Sequence, residues 1–256
     1  METLEIFPLP AFEDNYIWCL RKDGALAVVD PGDAGPVLNH LAHSGDRLCA
    51  ILITHHHRDH TGGIAELTTR HPVPVFAPAA EAIAGTTQSV AGGDRIALPK
   101  LGIDFDVLDV AGPTRGHVAY YRRGTLFCGD TLFGCGCGRL FEGTAAQLHA
   151  ALQRIGVLPR LTFAYCAHEY TASGIRFAHA VEPGNPAIEV RGAEVKRKQE
   201  AGQPTVPFTI ADELATNPFL RCTEPGVVAT VAGRLGRQPA NELEVFTVLR
   251  EWRDHF

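Results

Sequence analysis

The feature that most restricts how this chain can fold is T-H-H-H-R-D-H-T-G-G at residues 54–63, which places four histidines and one aspartate within seven residues. The segment continues from C-A-I-L-I-T, an apolar run with the length and composition of a buried central strand. Histidine and carboxylate side chains are common ligands of zinc, iron and manganese. We therefore expect a metal site in the loop where this strand ends.

Short apolar runs separated by turn signals fill the first two thirds of the chain and predict a large sheet core. In I-D-F-D-V-L-D-V at 103–110, apolar and acidic residues alternate, which is typical of a strand with one face in water. Residues 144–155 predict a helix, because Thr144 and Gln147 have capping-box spacing and apolar residues recur on one face. This mixture predicts an α/β or α+β fold.

Strand signals fade from about residue 172 onward. Asn185 can cap a helix that starts at Pro186, and P-A-N-E-L-E-V-F-T-V-L-R-E-W-R near the C-terminus has a helical apolar face. We therefore predict a metal-binding catalytic domain over residues 1–171 and a smaller helical domain over residues 172–256.

The spacing within the histidine motif indicates how it can bind metal. His55 and His57 are two residues apart and can point the same way in a strand-end loop, so they can chelate one ion. Asp59 and His60 follow the bend toward a second position. Four such groups in six positions have no evident use without metal, whereas a single histidine is more simply explained as a hydrogen-bonded surface or core residue.

Three further candidate ligands lie at the ends of other predicted strands. His117 opens H-V-A-Y-Y, Asp130 ends T-L-F-C-G-D, and His168 follows L-T-F-A-Y-C. Ligands at strand ends can converge along one edge of a sheet. A single catalytic metal typically takes about three protein ligands and keeps a position for water, so these candidates together suit two ions if one carboxylate bridges them.

Four segments resemble the successive metal motifs of the metallo-β-lactamase superfamily: T-H-H-H-R-D-H-T-G-G, T-R-G-H at 114–117, G-D-T-L-F at 129–133 and A-H-E-Y-T at 167–171. Four others resemble, within it, the glyoxalase II or hydroxyacylglutathione hydrolase family: G-C-G-C-G-R-L-F-E-G-T at 134–144, V-E-P-G-N at 181–185, T-N-P-F-L-R at 216–221 and the terminal R-E-W-R-D-H-F. The resemblance runs nearly from end to end. The histidine motif is typical of the whole superfamily, and the C-terminal motifs select the family.

This resemblance implies an αβ/βα metallo-β-lactamase sandwich with two divalent metal ions at one sheet edge, followed by a helical glutathione-binding domain. Zinc is the first expectation for the metals, with iron or manganese as alternatives. The first ion would be held by His55, His57 and His117, and the second by Asp59, His60 and His168. Asp130 would bridge the two ions, and the attacking hydroxide would bridge the same two ions. Asp59 and Asp130 would be the catalytic carboxylates beside this hydroxide. Glutathione would contact Arg139, Phe141, Tyr170, Arg250 and Arg253.

The reaction implied by the resemblance is hydrolysis of S-(2-hydroxyacyl)glutathione, such as S-D-lactoylglutathione, to glutathione and a 2-hydroxy acid such as D-lactate. It is the second step of methylglyoxal detoxification. The thiol product has a pKa near ~8.5 and can leave as an anion, so no general acid is required. Arg139 and Arg253 stand where the family often has lysine, and Phe141 stands where it often has tyrosine. Pro113 replaces a frequent histidine, which leaves His117 unchanged.

Other functions remain open as alternatives. A lactamase more often has cysteine among its second-metal ligands, and a nuclease needs a larger basic surface than a net charge of -6 provides. A lactonase or a mononuclear-iron persulfide dioxygenase can share these motifs, and metal count and oxygen consumption identify the dioxygenase. The non-enzymatic alternative is a metal-dependent thiol-conjugate binding protein, which would not turn over a thioester.

Charge and cysteine content indicate the partners of the protein, its cellular compartment and the redox state of its thiols. The net charge of -6 argues against nucleic acid and anionic membranes as partners, and the N-terminus lacks the pattern of a secretory signal. We expect a cytoplasmic monomer that binds a small-molecule glutathione thioester. The seven cysteines are odd in number and scattered, so we expect them to be reduced. Cys135 and Cys137 could ligate metal, but small residues in a tight glycine-rich loop are the simpler interpretation.

Overall fold

The computed structural model describes residues 3–256, and its residues divide into two compact units. The first unit comprises residues 3–109 and 114–129, and the second comprises residues 110–113 and 130–256. Gly129 and Asp130 are consecutive in the chain, yet they belong to different units.

The first unit contains a six-stranded sheet with its strands in sequence order. Strands β1 to β3 are antiparallel, and β3 to β6 are parallel. The strands are β1 (Glu5–Ala11), β2 (Asn15–Lys22), β3 (Ala25–Val29), β4 (Arg47–Leu52), β5 (Val75–Pro78) and β6 (Gln88–Val90). Strand β4 has a parallel neighbour on each side, so the interior strand predicted from C-A-I-L-I-T is confirmed.

Three helices accompany this sheet: α1 (Ala34–Ser44), α2 (Arg58–Thr61) and α3 (Ile64–Arg70). Helix α1 begins at an Asp33 cap, whose carboxylate accepts a hydrogen bond from the Gly35 amide, and ends at Gly45 in the left-handed conformation. Val37 and Leu67, on α1 and α3, are fully buried in one cluster with apolar residues of the sheet. This burial fixes the helices against one face of the sheet.

Four antiparallel strands form the other layer of the first unit: β7 (Arg95–Leu98), β8 (Ile103–Asp109), β9 (Val118–Arg122) and β10 (Thr125–Gly129). In β8 the alternating residues Ile103, Phe105 and Val107 are buried and the aspartates are exposed, as the alternation predicts. Tyr120 on β9 is fully buried and donates its hydroxyl to the carbonyl oxygens of Ile53 (2.8 Å) and Phe76 (3.2 Å). Tyr120 thereby joins the two layers where β4 and β5 end.

The second unit is mainly helical. Its helices are α4 (Ala145–Gly156), α5 (Thr171–Val181), α6 (Pro186–Glu200), α7 (Ile210–Thr216), α8 (Pro225–Leu235) and α9 (Glu242–Asp254), with a 3-10 turn at Pro218–Leu220. Its short strands pair as β11 (Leu132–Phe133) with β12 (Gly136–Cys137) and β13 (Phe163–Cys166) with β14 (Phe208–Thr209). The predicted capping box of α4 and the predicted Asn185 cap of α6 are both confirmed.

The mixed α/β class predicted from the sequence is confirmed. The seven cysteines all lie within residues 3–256 and form no disulfide there. None of the helices in this part of the chain has the length and apolar character needed to span a membrane.

Candidate metal centre

In the first unit, the predicted ligands meet where β4 ends and β9 begins. The Val118 amide donates a hydrogen bond to the Thr54 carbonyl at 2.9 Å, which holds these two chain segments side by side. The rings of His55 and His117 therefore stack, with centroids 4.6 Å apart and planes 17° from parallel. The convergence predicted for strand-end residues is present for this pair.

The motif brings its own histidines close to His55. The ring centroid of His55 lies 4.0 Å from that of His60 and 4.6 Å from that of His57. Burial lowers the pKa of His55 well below its usual 6.5, and the neighbouring imidazoles lower it further. A neutral imidazole can donate a nitrogen lone pair to a cation, so this shift suits a metal ligand.

Asp30 is a site residue that our sequence reasoning missed. It follows β3, it is buried, and its backbone is left-handed at φ 52°. Its carboxylate accepts hydrogen bonds from the amide and the hydroxyl of Thr54, both at 2.7 Å. Its Oδ2 also lies 3.1 Å from Nδ1 of His60. One buried carboxylate thus connects the end of β4 to a predicted metal ligand.

Each of three histidines has its Nδ1 beside an oxygen. Nδ1 of His117 lies 3.1 Å from the Val118 carbonyl, Nδ1 of His55 lies 3.1 Å from the Thr54 hydroxyl, and Nδ1 of His60 faces Asp30. The contacts of His55 and His117 are hydrogen bonds and fit tautomers with the proton on Nδ1 and with Nε2 as the electron-pair donor, whereas that of His60 with Asp30 is a close approach of an imidazole and a carboxylate. Outer hydrogen bonds of this kind are typical of histidines that ligate metals.

Asp59 is oriented by Asn15, a second residue that the sequence did not reveal. The amide Nδ2 of the buried Asn15 donates to Oδ2 of Asp59 at 3.0 Å. The same oxygen lies 3.4 Å from Nε2 of His60. The Asp59 side chain is 40% exposed, so its carboxylate is accessible from solvent as well as fixed from inside.

Glycine is required at the two ends of this arrangement. A Cβ at Gly63, which closes the histidine motif, would lie 2.6 Å from the Pro31 carbonyl oxygen. Gly129, with φ 48°, precedes Asp130, and a Cβ there would lie 2.3 Å from the Thr54 hydroxyl and 2.8 Å from the His117 ring. A larger residue would displace either the motif or the His117 ring.

The second unit holds the remaining two predicted ligands close together. Nε2 of His168 lies 3.4 Å from Oδ1 of Asp130. The ring of Tyr170 stacks on His168, with centroids 4.8 Å apart and planes 10° from parallel, and Phe133 packs edge-on against both rings. Tyr170 therefore lies beside the predicted ligand His168, with part of its surface exposed.

The predicted glutathione residues of the second unit differ in exposure. Arg139 and Phe141 are exposed. Arg253 is partly exposed and donates to the Ser173 hydroxyl at 2.7 Å. Arg250 is almost fully buried and donates to the carbonyl oxygens of Cys137 (3.1 Å) and Gly138 (3.2 Å).

A group of positive charges surrounds Arg253. Burial lowers the pKa of Arg253, and the charges of Arg250, Arg176 and Arg139 lower it further. Asp254 offsets part of this charge, since its Oδ1 lies 2.9 Å from Nη2 of Arg250 and 3.6 Å from Nε of Arg139. The positive charge that remains favours an anion here. Arg176, on α5, was not singled out in the sequence, because a lone arginine in a helix carries no signal of its own.

The G-C-G-C-G segment is a buried structural loop. Burial raises the pKa of the Cys135 thiol to about 12, and it raises the pKa of Cys137 as well. Each sulfur also lies against a guanidinium group, Sγ of Cys135 at 3.3 Å from Nη1 of Arg191 and Sγ of Cys137 at 3.4 Å from Nη1 of Arg250, which disfavours a bound cation at these residues. The Cys135 amide donates to the buried carboxylate of Glu213, which forms an ion pair with Arg191.

Two of the family motifs are joined to each other. Glu182, in V-E-P-G-N, accepts hydrogen bonds from Nε and Nη2 of Arg221, in T-N-P-F-L-R, each at 2.8 Å. Asn185 donates both to Glu182 and to the Ala215 carbonyl, at 2.9 Å in each case. These motifs fix the ends of α5, α6 and α7 rather than contribute exposed binding groups.

Two family models together match nearly the whole chain. Residues 12–168 match the model described as the metallo-β-lactamase superfamily, and residues 169–256 match the model described as the hydroxyacylglutathione hydrolase C-terminus. The fold and the histidine and aspartate donors define a metallo-β-lactamase superfamily protein.

The hydroxyacylglutathione hydrolase of Alkalilimnicola ehrlichii is 51% identical over 253 residues, which cover 98% of this chain and 98% of that protein. That of Nitrosomonas eutropha is 46% identical over 253 residues, covering 99% of each. The chain belongs to the hydroxyacylglutathione hydrolase family, which confirms the resemblance inferred from its motifs.

Solved structures confirm the fold. ETHE1 from Myxococcus xanthus superimposes with a TM-score of 0.66, covering 98% of this chain and 98% of that chain, at 20% identity. A likeness at this identity concerns the fold alone. The predicted metallo-β-lactamase fold is therefore correct.

Proposed function

We propose that this protein hydrolyses S-(2-hydroxyacyl)glutathione thioesters, with S-D-lactoylglutathione as the first substrate to test, and releases glutathione and a 2-hydroxy acid. The observation that supports this most strongly is the near full-length relation to curated hydroxyacylglutathione hydrolases. The reaction would serve methylglyoxal detoxification. We also propose that residues 1–171 carry the metal ligands and residues 172–256 the helical glutathione domain, a division close to the boundary between the two family models.

The family and the donor set point to divalent metal ions. We propose two, with zinc as the first choice and iron or manganese as alternatives. The first would be held by His55, His57 and His117, and the second by Asp59, His60 and His168, with Asp130 shared between them. The oriented Nδ1 atoms and the lowered pKa of His55 support this set, because they leave neutral nitrogen donors for cations.

Two bound divalent ions would supply hydroxide at neutral pH and polarise the thioester carbonyl. The side chains of the protein position the ligands and balance the charge of the ions. Asp30 and Asn15 keep His60 and Asp59 in place, and the charges of Asp59 and Asp130 balance those of the ions. Tyr170, stacked on His168, covers that imidazole on one face and limits access of water to it.

Glutathione carries two carboxylates, and the arginine group of the second unit is suited to bind them. Arg139 and Arg253 have accessible guanidinium groups and can form charge-assisted hydrogen bonds. Arg250 is buried, is paired with Asp254 at 2.9 Å and holds the backbone of Cys137 and Gly138, so it would support this group from the interior of the unit. Phe141 offers an exposed apolar surface to the peptide stem.

The experiment that tests this function is hydrolysis of S-D-lactoylglutathione by metal-replete protein, followed by loss of thioester absorbance, beside chelator-treated protein. We expect turnover only with metal and about two metal equivalents per chain by elemental analysis. Oxygen uptake with glutathione persulfide and a plateau at one iron would instead identify a dioxygenase. Binding of a glutathione conjugate without turnover would identify a binding protein.

We further propose a cytoplasmic monomer with no nucleic-acid partner. The net charge of -6 supports the absence of nucleic-acid binding. Sedimentation of purified protein and fractionation of cells that express it would test these assignments.

A further inference from the structure

The metal and glutathione residues leave the acyl half of the proposed substrate without an assigned contact. In the first unit, an open cleft of about 440 Å³ borders Asp59. The turn after β1 and the starts of α1 and α2 form its walls, which include Phe12, Gly32, Asp33, Arg58, Asp59 and Gly62. The cleft is much larger than the three-carbon lactoyl group.

Phe12 is the most unusual residue of this cleft. Its side chain is 60% exposed, and its backbone is left-handed at φ 52°. A bulky aromatic residue rarely adopts this conformation, and residues held in such conformations cluster at functional sites. An exposed aromatic ring in a strained turn therefore needs a reason other than core packing.

Gly32 shows how closely the ring approaches the ligand-bearing segment. A Cβ at Gly32 would lie 1.8 Å from the Asp59 carbonyl oxygen and 2.9 Å from Cε2 of Phe12. The absence of a side chain at Gly32 thus lets the Phe12 ring and the Asp59 backbone both approach this glycine closely. The ring forms an apolar wall of a cleft that also borders Asp59, a proposed metal ligand.

We propose that this cleft binds the acyl group of the substrate and that Phe12 is a specificity-determining residue for it, an inference that rests on the proposed thioesterase function. The thioester carbonyl would have to reach the proposed metal ions, one of which Asp59 would hold, so the acyl carbons attached to it come within range of a space that borders Asp59. The aromatic wall favours 2-hydroxyacyl groups whose substituent is larger and more apolar than methyl. Arg58 and Asp33 provide polar groups for the hydroxyl.

The test compares two glutathione thioesters that differ only in this substituent, S-D-lactoylglutathione with methyl and S-D-mandeloylglutathione with phenyl. The readout is the ratio of kcat/KM for the phenyl substrate to that for the methyl substrate. Phe12→Ala should lower this ratio about tenfold, since small changes of apolar contact in a pocket are worth that much. Phe12→Gly, which removes the ring and also relaxes the backbone, should give the same ratio as Phe12→Ala.

Phe163→Ala is the matched control, because Phe163 is a 45% exposed phenylalanine on β13 of the second unit. It should leave the ratio at the wild-type value. Inhibition by S-methylglutathione, which lacks an acyl group, should be the same in Phe12→Ala and wild type. A ratio that is unchanged or raised in both Phe12 variants would overturn the inference. If the wild type hydrolyses neither thioester, the failure lies in the proposed function.

Discussion

Replacing Asp30 with asparagine separates the charge of this buried group from its shape. Asn keeps an oxygen that can accept from the Thr54 amide, a hydrogen bond of 2.7 Å in the wild type. It puts an NH2 group where Oδ2 accepts from the Thr54 hydroxyl and faces Nδ1 of His60. The Thr54 hydroxyl would then point at the NH2 group, which is itself a donor, so this hydroxyl must rotate. The His60 ring loses its anionic neighbour.

The expected cost follows from the proposed role of Asp30 as an outer partner of His60, itself a proposed ligand. Loss of such a partner typically lowers metal affinity by roughly 10- to 100-fold, or ~1.4 to 2.8 kcal/mol. The ion proposed to be held by Asp59, His60 and His168 should be the weaker one in the variant. Asn also tolerates a left-handed backbone, so the turn itself should persist.

Competition with a chromophoric chelator measures this affinity directly. Asp23→Asn is the matched control, because Asp23 also has a left-handed backbone, at φ 50°, and is exposed in the turn between β2 and β3. We expect Asp30→Asn to lose one metal equivalent at chelator concentrations that leave Asp23→Asn with two. Equal metal retention in the two variants would refute the assignment of Asp30.

Three further expectations concern charge. Asp130→Asn should retain less than two metal equivalents and little turnover, because the amide cannot balance two cations, as elemental analysis would show. Arg253→Ala should raise KM for a glutathione thioester about tenfold with kcat largely kept, whereas Arg250→Ala should lower the free energy of unfolding, since it removes the donors to Cys137 and Gly138. Hydrogen bonds from Arg221 lower the pKa of Glu182 below its usual 4.5, so their stabilisation is present above pH 4.5 and is lost as the pH falls through the lowered value. Denaturant unfolding of Glu182→Gln should show a loss of roughly 2 kcal/mol at pH 7 that shrinks on acidification.

The elements that the sequence predicted well are those specified by nearby residues. The apolar C-A-I-L-I-T run allows little but an interior strand, and β4 is one. Thr144 with Gln147 and Asn185 with Pro186 specify helix starts within four residues, and both starts are observed. The strand-end placement of the proposed ligands His117, Asp130 and His168 also followed from the strand pattern, because each adjoins a predicted strand in the sequence.

The residues that the sequence did not reveal depend on pairing between distant segments. Asp30 reaches Thr54 only because β3 and β4 are parallel with their ends level, as the hydrogen bond from the Asp30 amide to the Leu52 carbonyl shows. No local pattern specifies that register. Asn15, at the start of β2, reaches Asp59 in α2 across a separation of 44 residues, which no local pattern specifies either.

The burial of Arg250 could have been anticipated. On helix α9, Phe246, Leu249 and Arg250 lie on one face at spacings of three and four residues, and the two apolar residues are fully buried. Arg253 lies one turn further along the same face, in the last turn of the helix, where it is partly exposed. Charge and helical spacing alone suggested equal roles for the two arginines, and the structure distinguishes them by burial.

The loop at residues 134–138 explains why so many charged groups of the second unit are buried. Glu213 accepts the Cys135 amide, and Asn217 donates to the Gly136 carbonyl at 2.9 Å, while Arg250 holds the next two carbonyls. Arg191 balances the charge of Glu213, whose own pKa is raised by burial. Leaving one member of such a pair alone typically costs about 3 to 5 kcal/mol, so the network tolerates little change. The loop it fixes leads directly into Arg139 and Phe141, which are exposed, and Nε of Arg139 lies 3.6 Å from Oδ1 of Asp254. If these two side chains contact glutathione as proposed, departures from the family pattern there can alter its affinity while the loop that presents them keeps its shape.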